Sequence, residues 1–156
     1  CKSIYSSELL RIYAIYDNIW FSDIRRTTTN SFLRQIIPID YEKGLIMVSY
    51  TDGKDVNIFK KNNKLMSDSK IKSIITKELR RLFGDVPFPK YFKVHYWKMG
   101  AQHWKPKNNS DEISNIVLNP LNKVYICGES YSKKQAWIEG ALETSEKIVS
   151  IAKTNK

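Results

Sequence analysis

Hydrophobic and polar residues alternate in two registers along this chain, and the change of register divides it into elements. Residues 9–16 (Leu-Leu-Arg-Ile-Tyr-Ala-Ile-Tyr) are β-branched and aromatic with mixed alternation, which predicts a strand ending at Asp17-Asn18. Trp20-Phe21 opens a loop, and residues 27–30 are polar and turn-like. Residues 32–39 and 45–50 read as two strands of a hairpin, with Gly44 in the turn. Pro38 cannot donate to a ladder, so it places the end of the first strand at an edge or a bulge. A short helix over 54–61 precedes the polar break Asn62-Asn63-Lys64.

From 69 to 83 the period becomes helical. Ile71, Ile74, Ile75, Leu79 and Leu82 share one face, Ser67, Asp68 or Ser69 can cap the start, and Gly84 ends the helix. Beyond Pro87 and Pro89, residues 91–97 alternate again as a strand. Residues 105–115 are polar and loop-like, and Pro120 precedes a strand over 123–127. A last helix spans 135–152, with Ile138, Ala141, Leu142, Ser145, Ile148, Val149 and Ala152 on one face. Strands and helices are segregated except in the final strand–helix pair, so the fold class is α+β, a mixed or antiparallel sheet with flanking helices.

Composition narrows the functional classes. The 42% apolar content argues against disorder. The longest apolar runs are too short for a membrane-spanning helix, and 156 residues make one domain by length alone. Cys1 and Cys127 form neither a metal pattern nor a disulfide framework, and Cys127, in the apolar strand, reads as a buried small side chain. His95 and His103 lack the neighbours of a metal site, and no serine lies in a nucleophile motif. The net charge of +10 concentrates in Lys54, Lys60, Lys61, Lys64, Lys70, Lys72, Lys77, Arg80 and Arg81. Acids intermix with these cations and no aromatic residues interleave as stacking platforms, so the reading is a solvated basic face rather than a nucleic-acid site.

One segment carries chemistry. Val124-Tyr-Ile-Cys-Gly-Glu-Ser-Tyr-Ser-Lys-Lys-Gln-Ala-Trp-Ile-Glu-Gly-Ala-Leu142 reads as strand, glycine turn and helix start, an order that offers backbone N–H groups and a positive dipole end to an electron-rich ligand. With Gly128-Glu129, Tyr131-Ser132, Gln135, Trp137 and Gly140-Ala141 in place, it resembles the last motif of the flavin-dependent amine oxidases, the superfamily of monoamine, polyamine and L-amino-acid oxidases. The resemblance covers the last third well and the remainder loosely.

That resemblance implies a division into a substrate-binding-type region, residues 1–122, and an FAD-contacting segment, residues 123–156, whose strand–helix unit belongs to the FAD domain. Gly128 and Glu129 would meet the pyrophosphate–ribityl part of FAD. Gln135, Trp137, Ile138 and Ala141 complete the cofactor-binding set, with the helix start at the pyrimidine edge. Trp137 would face the substrate. Residues 97–104 resemble the Trp-x-x-Gly-Ala stretch of the family, which makes Trp104 the second aromatic wall with His103 behind it. The implied reaction moves a hydride from the amine α-carbon to flavin N5, gives an imine that water hydrolyses, and uses oxygen to reoxidise the flavin. No cysteine lies in residues 97–104, so FAD would bind non-covalently. Where many members use a strand lysine to hold a water, residues 9–16 offer Arg11 and no lysine.

Six glycines, at 44, 53, 84, 100, 128 and 140, contain no G-x-G-x-x-G turn, and the chain begins with Cys1. The expectation is the C-terminal part of a longer oxidase, whose partners are a small amine and the remainder of the parent polypeptide, and which takes up FAD only together with that remainder. The alternative is a non-catalytic structural or assembly module that works through the basic face.

Overall fold

A computed structural model describes residues 2–154, and Cys1 lies outside the described residues. The elements in chain order are β1 (Ile4–Ile15), β2 (Thr27–Thr28), β3 (Gln35–Asp40), β4 (Leu45–Asp52), β5 (Lys60–Lys61), β6 (Lys64–Leu65), α1 (Asp68–Phe83), β7 (Tyr91–Trp104), α2 (Ser110–Leu118) and α3 (Ile138–Thr154). Two 3-10 turns, Gly53–Phe59 and Glu129–Tyr131, join them. The class is α+β, as the segregated pattern requires. The chain divides into two compact units, residues 8–97 and residues 1–7 with 98–156, and β1 and β7 contribute to both.

The unit of residues 8–97 is built on a sheet ordered β2-β3-β4-β1-β7. The β3–β4 hairpin turns at Tyr41–Gly44 as its spacing predicts, and Gly44 takes φ 64° there. Pairing runs Pro38 to Ile46 and then Asp40 to Leu45, so Ile39 is skipped in a bulge where proline removes a donor. A second bulge falls between Ile12 and Tyr13, opposite Ser49 and Met47. Leu10, Ile12 and Ala14 alternate inward from β1, and Ile46 and Val48 join them from β4.

Helix α1 covers this face with Ile71, Ile75 and Leu79, all buried, each contributing about 1.5–3 kcal/mol through burial. Its end is set by Gly84 at φ 85°, whose N–H donates to the Arg80 carbonyl. Both ends of α1 fall within a residue of the span its periodicity predicts. Asn62 and Asn63, both left-handed, form the turn of the short β5–β6 hairpin.

Several expectations are corrected. Residues 27–30 are not only a turn, because Thr27 and Thr28 pair with Ile36 and Gln35. The strand read at 91–97 continues to Trp104. The loop read at 105–115 contains the start of α2, whose Asn109 side chain caps the helix by accepting from the Glu112 N–H. Residues 123–127 form no ladder strand. Only an isolated Leu121–Val124 bridge is present, and the Ile126 N–H turns instead to the Leu118 carbonyl at the end of α2. β-branched composition alone does not make a strand when its backbone groups find other partners. Cys127 is accordingly exposed rather than buried. Helix α3 begins at Ile138, three residues later than its pattern suggests, because Ala136 takes a left-handed φ of 63° just before it. Among the described residues no helix is long and apolar enough to cross a membrane.

Candidate functional site

Every residue singled out as a site candidate lies in the unit formed by residues 1–7 and 98–156. Here the polypeptide leaves α2, runs irregularly to Gly128, makes the Glu129–Tyr131 turn and enters α3. Gly128 adopts φ 132°, a region that side-chain-bearing residues avoid, and a Cβ there would meet nothing within 4 Å. Backbone conformation, not space, therefore requires glycine at this position.

Thr144, two turns into α3, fastens this glycine. Its hydroxyl accepts from the Gly128 N–H at 3.0 Å and lies within reach of the Gly128, Gly140 and Ala141 carbonyls, which its single proton serves one at a time. Thr144 is buried in the helix interior and bonded back one turn, and residue order does not signal this clamp. The apolar periodicity around it gives no such sign. Two serines escape the same pattern: Ser114 donates to the Tyr131 carbonyl at 2.6 Å, and Ser132 is buried and accepts from the Lys134 N–H.

The polar candidates form one braced loop. Glu129 accepts from the Ala136 N–H at 2.6 Å and from the Ser130 hydroxyl at 3.2 Å, so its carboxylate ties the turn to the entrance of α3. Gln135 bridges two segments at once: its Oε1 accepts from the Trp104 N–H at 2.6 Å, and its Nε2 donates to the Ser130 carbonyl at 2.6 Å. Trp104 adds an Nε1–H bond to the Ser132 carbonyl at 3.1 Å and an edge-on contact with the Tyr131 ring, centroids 5.8 Å apart. These bonds bring Trp104, Glu129 and Gln135 together. They hold the end of β7 against the loop that precedes α3.

The His103 ring lies 5.2 Å from that of Tyr5. Ala141 is half-buried and its carbonyl accepts from the Ser145 hydroxyl at 2.8 Å. Gly140 is buried, and a Cβ on it would collide with the Ser132 hydroxyl and the Lys134 carbonyl. The loop thus lies flush on the first turn of α3, and only glycine permits that approach.

At the open end the situation reverses. Trp137 is 69% exposed and Ile138, the first residue of α3, is 71% exposed. Trp137 is therefore not a core aromatic. The Gly140 N–H closes the first turn onto the Trp137 carbonyl at 3.1 Å, and the positive end of the helix dipole gathers beside the exposed ring. Leu142 and Val149 continue this uncovered stripe along α3, and Leu121, Val124 and Ile126 are exposed as well. The apolar face read for α3 is only partly buried: Gly140 and Thr144 point inward while Ile138, Leu142 and Val149 face out.

Arg11 of β1 is almost fully buried. It donates to the Leu10 and Thr51 carbonyls at 2.9 and 2.8 Å, and its guanidinium lies 3.4 Å from the centre of the Tyr50 ring. It is a bonded structural side chain. Lys60 is also largely buried, paired with Glu8, which accepts from the Tyr96 hydroxyl at 2.8 Å. Burial pulls the Lys60 pKa down, but the hydrogen bond and charge of Glu8 together outweigh it and raise the value, so the lysine stays charged.

A search of curated proteins finds no match. The profile of the family described as flavin containing amine oxidoreductase matches residues 11–149, nearly the whole chain and both compact units, and the chain belongs to that family.

Proposed function

We propose that this chain supplies the substrate-facing and C-terminal side of an FAD-dependent amine oxidase site. Residues 1–122 act as the substrate-binding-type region and residues 123–156 as the FAD-contacting segment. The observation that carries this reading is Trp137, a large aromatic left 69% exposed beside a helix start whose approach loop is fully braced.

The residues fit one side of a flavin. Gly128 leaves open space around its Cα, and the positive end of α3 suits an electron-rich ring edge at Ile138. When bound, FAD supplies the hydride acceptor for oxidation of a small amine and passes the electrons on to oxygen. The protein holds and desolvates the amine. Trp137 and Trp104 wall the slot, and His103 stands behind. The two indoles make no ring contact with each other among the described residues, which suits opposite walls. Gln135 fixes Trp104 from behind through the backbone, and Glu129 and Ala141 hold the turn and the helix that the cofactor meets. With no cysteine in residues 97–104, attachment is non-covalent.

Leu121, Val124, Ile126, Leu142 and Val149 are exposed apolar side chains of this unit. We assign their cover to the remainder of the parent polypeptide, which would also bring the glycine-rich phosphate turn that this sequence lacks. The test is anaerobic mixing of the FAD-loaded parent protein with a panel of primary and secondary amines. Bleaching of flavin absorbance by at least one amine supports the reading. No bleaching across the panel overturns it.

A further inference from the structure

The solvent face of α1 carries a feature independent of the flavin site. Positions 69, 70, 73, 77, 80 and 81 are exposed, opposite the buried Ile71, Ile75 and Leu79. They read Ser69, Lys70, Ser73, Lys77, Arg80 and Arg81, four cations and no carboxylate. The acids of the helix are Asp68, exposed in its first turn, and Glu78, which lies at the flank and is bonded to Arg81 at 2.7 Å. Lys70, Lys72 and Lys77 form no ion pair among the described residues. From Lys70 to Arg81 the cations cover about 16 Å of helix at ~1.5 Å per residue, with Lys70 and Lys77 nearly in line and Arg80 and Arg81 flanking that line on either side.

The objection raised by the sequence, that no aromatics interleave with these lysines, does not survive folding. The loop after α1 brings Phe88 and the start of β7 brings Tyr91, 60% and 53% exposed, to the edge of the helix. Phe88 sits between Pro87 and Pro89, which hold the backbone and so reduce the entropy cost of keeping the ring outside. Arg80 lies over it: its guanidinium carbon is 5.0 Å from the ring centre, and its Nε–H donates to the Val86 carbonyl at 2.8 Å. That bond fixes the guanidinium fork and leaves its terminal N–H groups for a phosphate. Tyr91 lines a shallow pocket with Ser69, Lys72 and Lys90, where Asp68 is the one carboxylate. Lys90 is held only by an exposed pair with Asp17 at 3.0 Å.

We propose that this face, α1 with Phe88 and Tyr91, binds single-stranded nucleic acid without sequence preference. A band of cations tracks a phosphodiester backbone, and the rings at its edge offer stacking to bases that a duplex would keep stacked on each other. A bilayer is less well matched, because the apolar face of α1, Ile71, Ile75 and Leu79, is buried in the core and cannot enter the acyl region.

The test is fluorescence anisotropy of a labelled oligo-dT of about 12 nucleotides, a length within the usual site size of such surfaces, against the purified protein over a range of salt. Lys70→Glu with Lys77→Glu should weaken binding at least about tenfold and flatten the log–log salt dependence by roughly 0.7 for each phosphate no longer neutralised. Phe88→Ala should weaken binding roughly five- to hundred-fold with the salt slope unchanged, as loss of one stacked base does, and Phe88→Tyr should restore it. Circular dichroism confirms that these surface variants stay folded. Absence of oligo-dT binding by the unaltered protein overturns the proposal, as does binding that Phe88→Ala leaves intact. Phosphatidylserine vesicles that bind while the oligonucleotide does not would assign the face to a membrane and equally overturn it.

Discussion

Replacing Gly140 by alanine tests whether the loop and α3 are as tightly joined as the structure shows. The added methyl group meets the Ser132 hydroxyl and the Lys134 carbonyl, and the second of these is backbone that cannot swing aside. Ser132 is itself buried and its hydroxyl accepts from the Lys134 N–H, so moving it aside breaks that bond. Forcing extra carbon into such a contact costs about 1–3 kcal/mol. Alanine normally gains up to ~1 kcal/mol over glycine inside a helix, but Gly140 is only the third residue of α3, where the gain is smaller. The steric effect wins. The net expectation is a destabilisation of about 1–2 kcal/mol, equivalent to a fall of roughly 3–6 °C in Tm for a chain of this size.

Thermal unfolding measures that loss, and hydrogen exchange locates it. Exchange should quicken over residues 129–140 and leave α1 unchanged, because α1 belongs to the other compact unit. Gly53→Ala is the comparison. Its φ is 56° but a Cβ there meets nothing within 4 Å, so strain is its only penalty, on the order of 1 kcal/mol, with no change in exchange over 129–140. A Gly140→Ala protein with wild-type Tm, or one stabilised by the helix-favouring residue, would refute the close approach of loop and helix.

Trp137→Ala should leave Tm nearly unchanged, because the ring is exposed, and should lower kcat per bound flavin by roughly ten- to two-hundred-fold through about 1–3 kcal/mol of lost orientation; an unchanged kcat per flavin would remove Trp137 from the substrate slot. Gln135→Ala should destabilise by about 1–3 kcal/mol, since it leaves the Trp104 N–H and the Ser130 carbonyl without partners, and calorimetry with Trp104 fluorescence reads both effects. The Arg81 guanidinium, bonded to Glu78, holds that carboxyl below the usual carboxylate range, against a weaker opposing effect of burial. A depressed folded-state pKa stabilises above the unfolded value of ~4.3 and is lost as pH falls through the folded value, so Glu78→Gln should lose stability at pH 6–7 and lose less on acidification than the unaltered protein. Equal slopes of stability against pH below 5 in the two proteins would count against the pair.

Much of the fold was legible where a local pattern decides local structure. Ile71, Ile75 and Leu79 repeat at helical spacing and Gly84 stops the helix, so α1 could be read to within a residue. Gly44 and Pro38 marked the hairpin and its bulge for the same reason. What failed depended on partners distant in the chain. Residues 123–127 are β-branched, yet a strand exists only beside another, and the Ile126 N–H found the end of α2 instead. Thr27–Thr28 erred in the other direction, polar residues drawn into a ladder by β3. The start of α2 carried a readable signal, Asn109 followed three residues later by Glu112, which the polar composition of 105–115 obscured.

The candidate site divides along the same line. Its positions were visible as a motif, because Gly128, Glu129, Trp137 and Gly140 are closely spaced in sequence. Its bracing was not. The Gln135 link to Trp104 spans 31 residues and the Thr144 clamp on Gly128 spans 16, separations at which residue order alone does not specify contact. The basic face followed suit, since Phe88 and Tyr91 join the cations of α1 only through the fold.

Flavin content tests the central claim most directly. The protein expressed from the complete reading frame should carry close to one FAD per chain, released into the supernatant on acid precipitation. The 156-residue chain alone should carry none, because it contributes Gly128, Glu129 and the α3 start but no phosphate-binding glycine turn. A complete protein without flavin, or flavin that stays with the acid-precipitated polypeptide, would contradict the account.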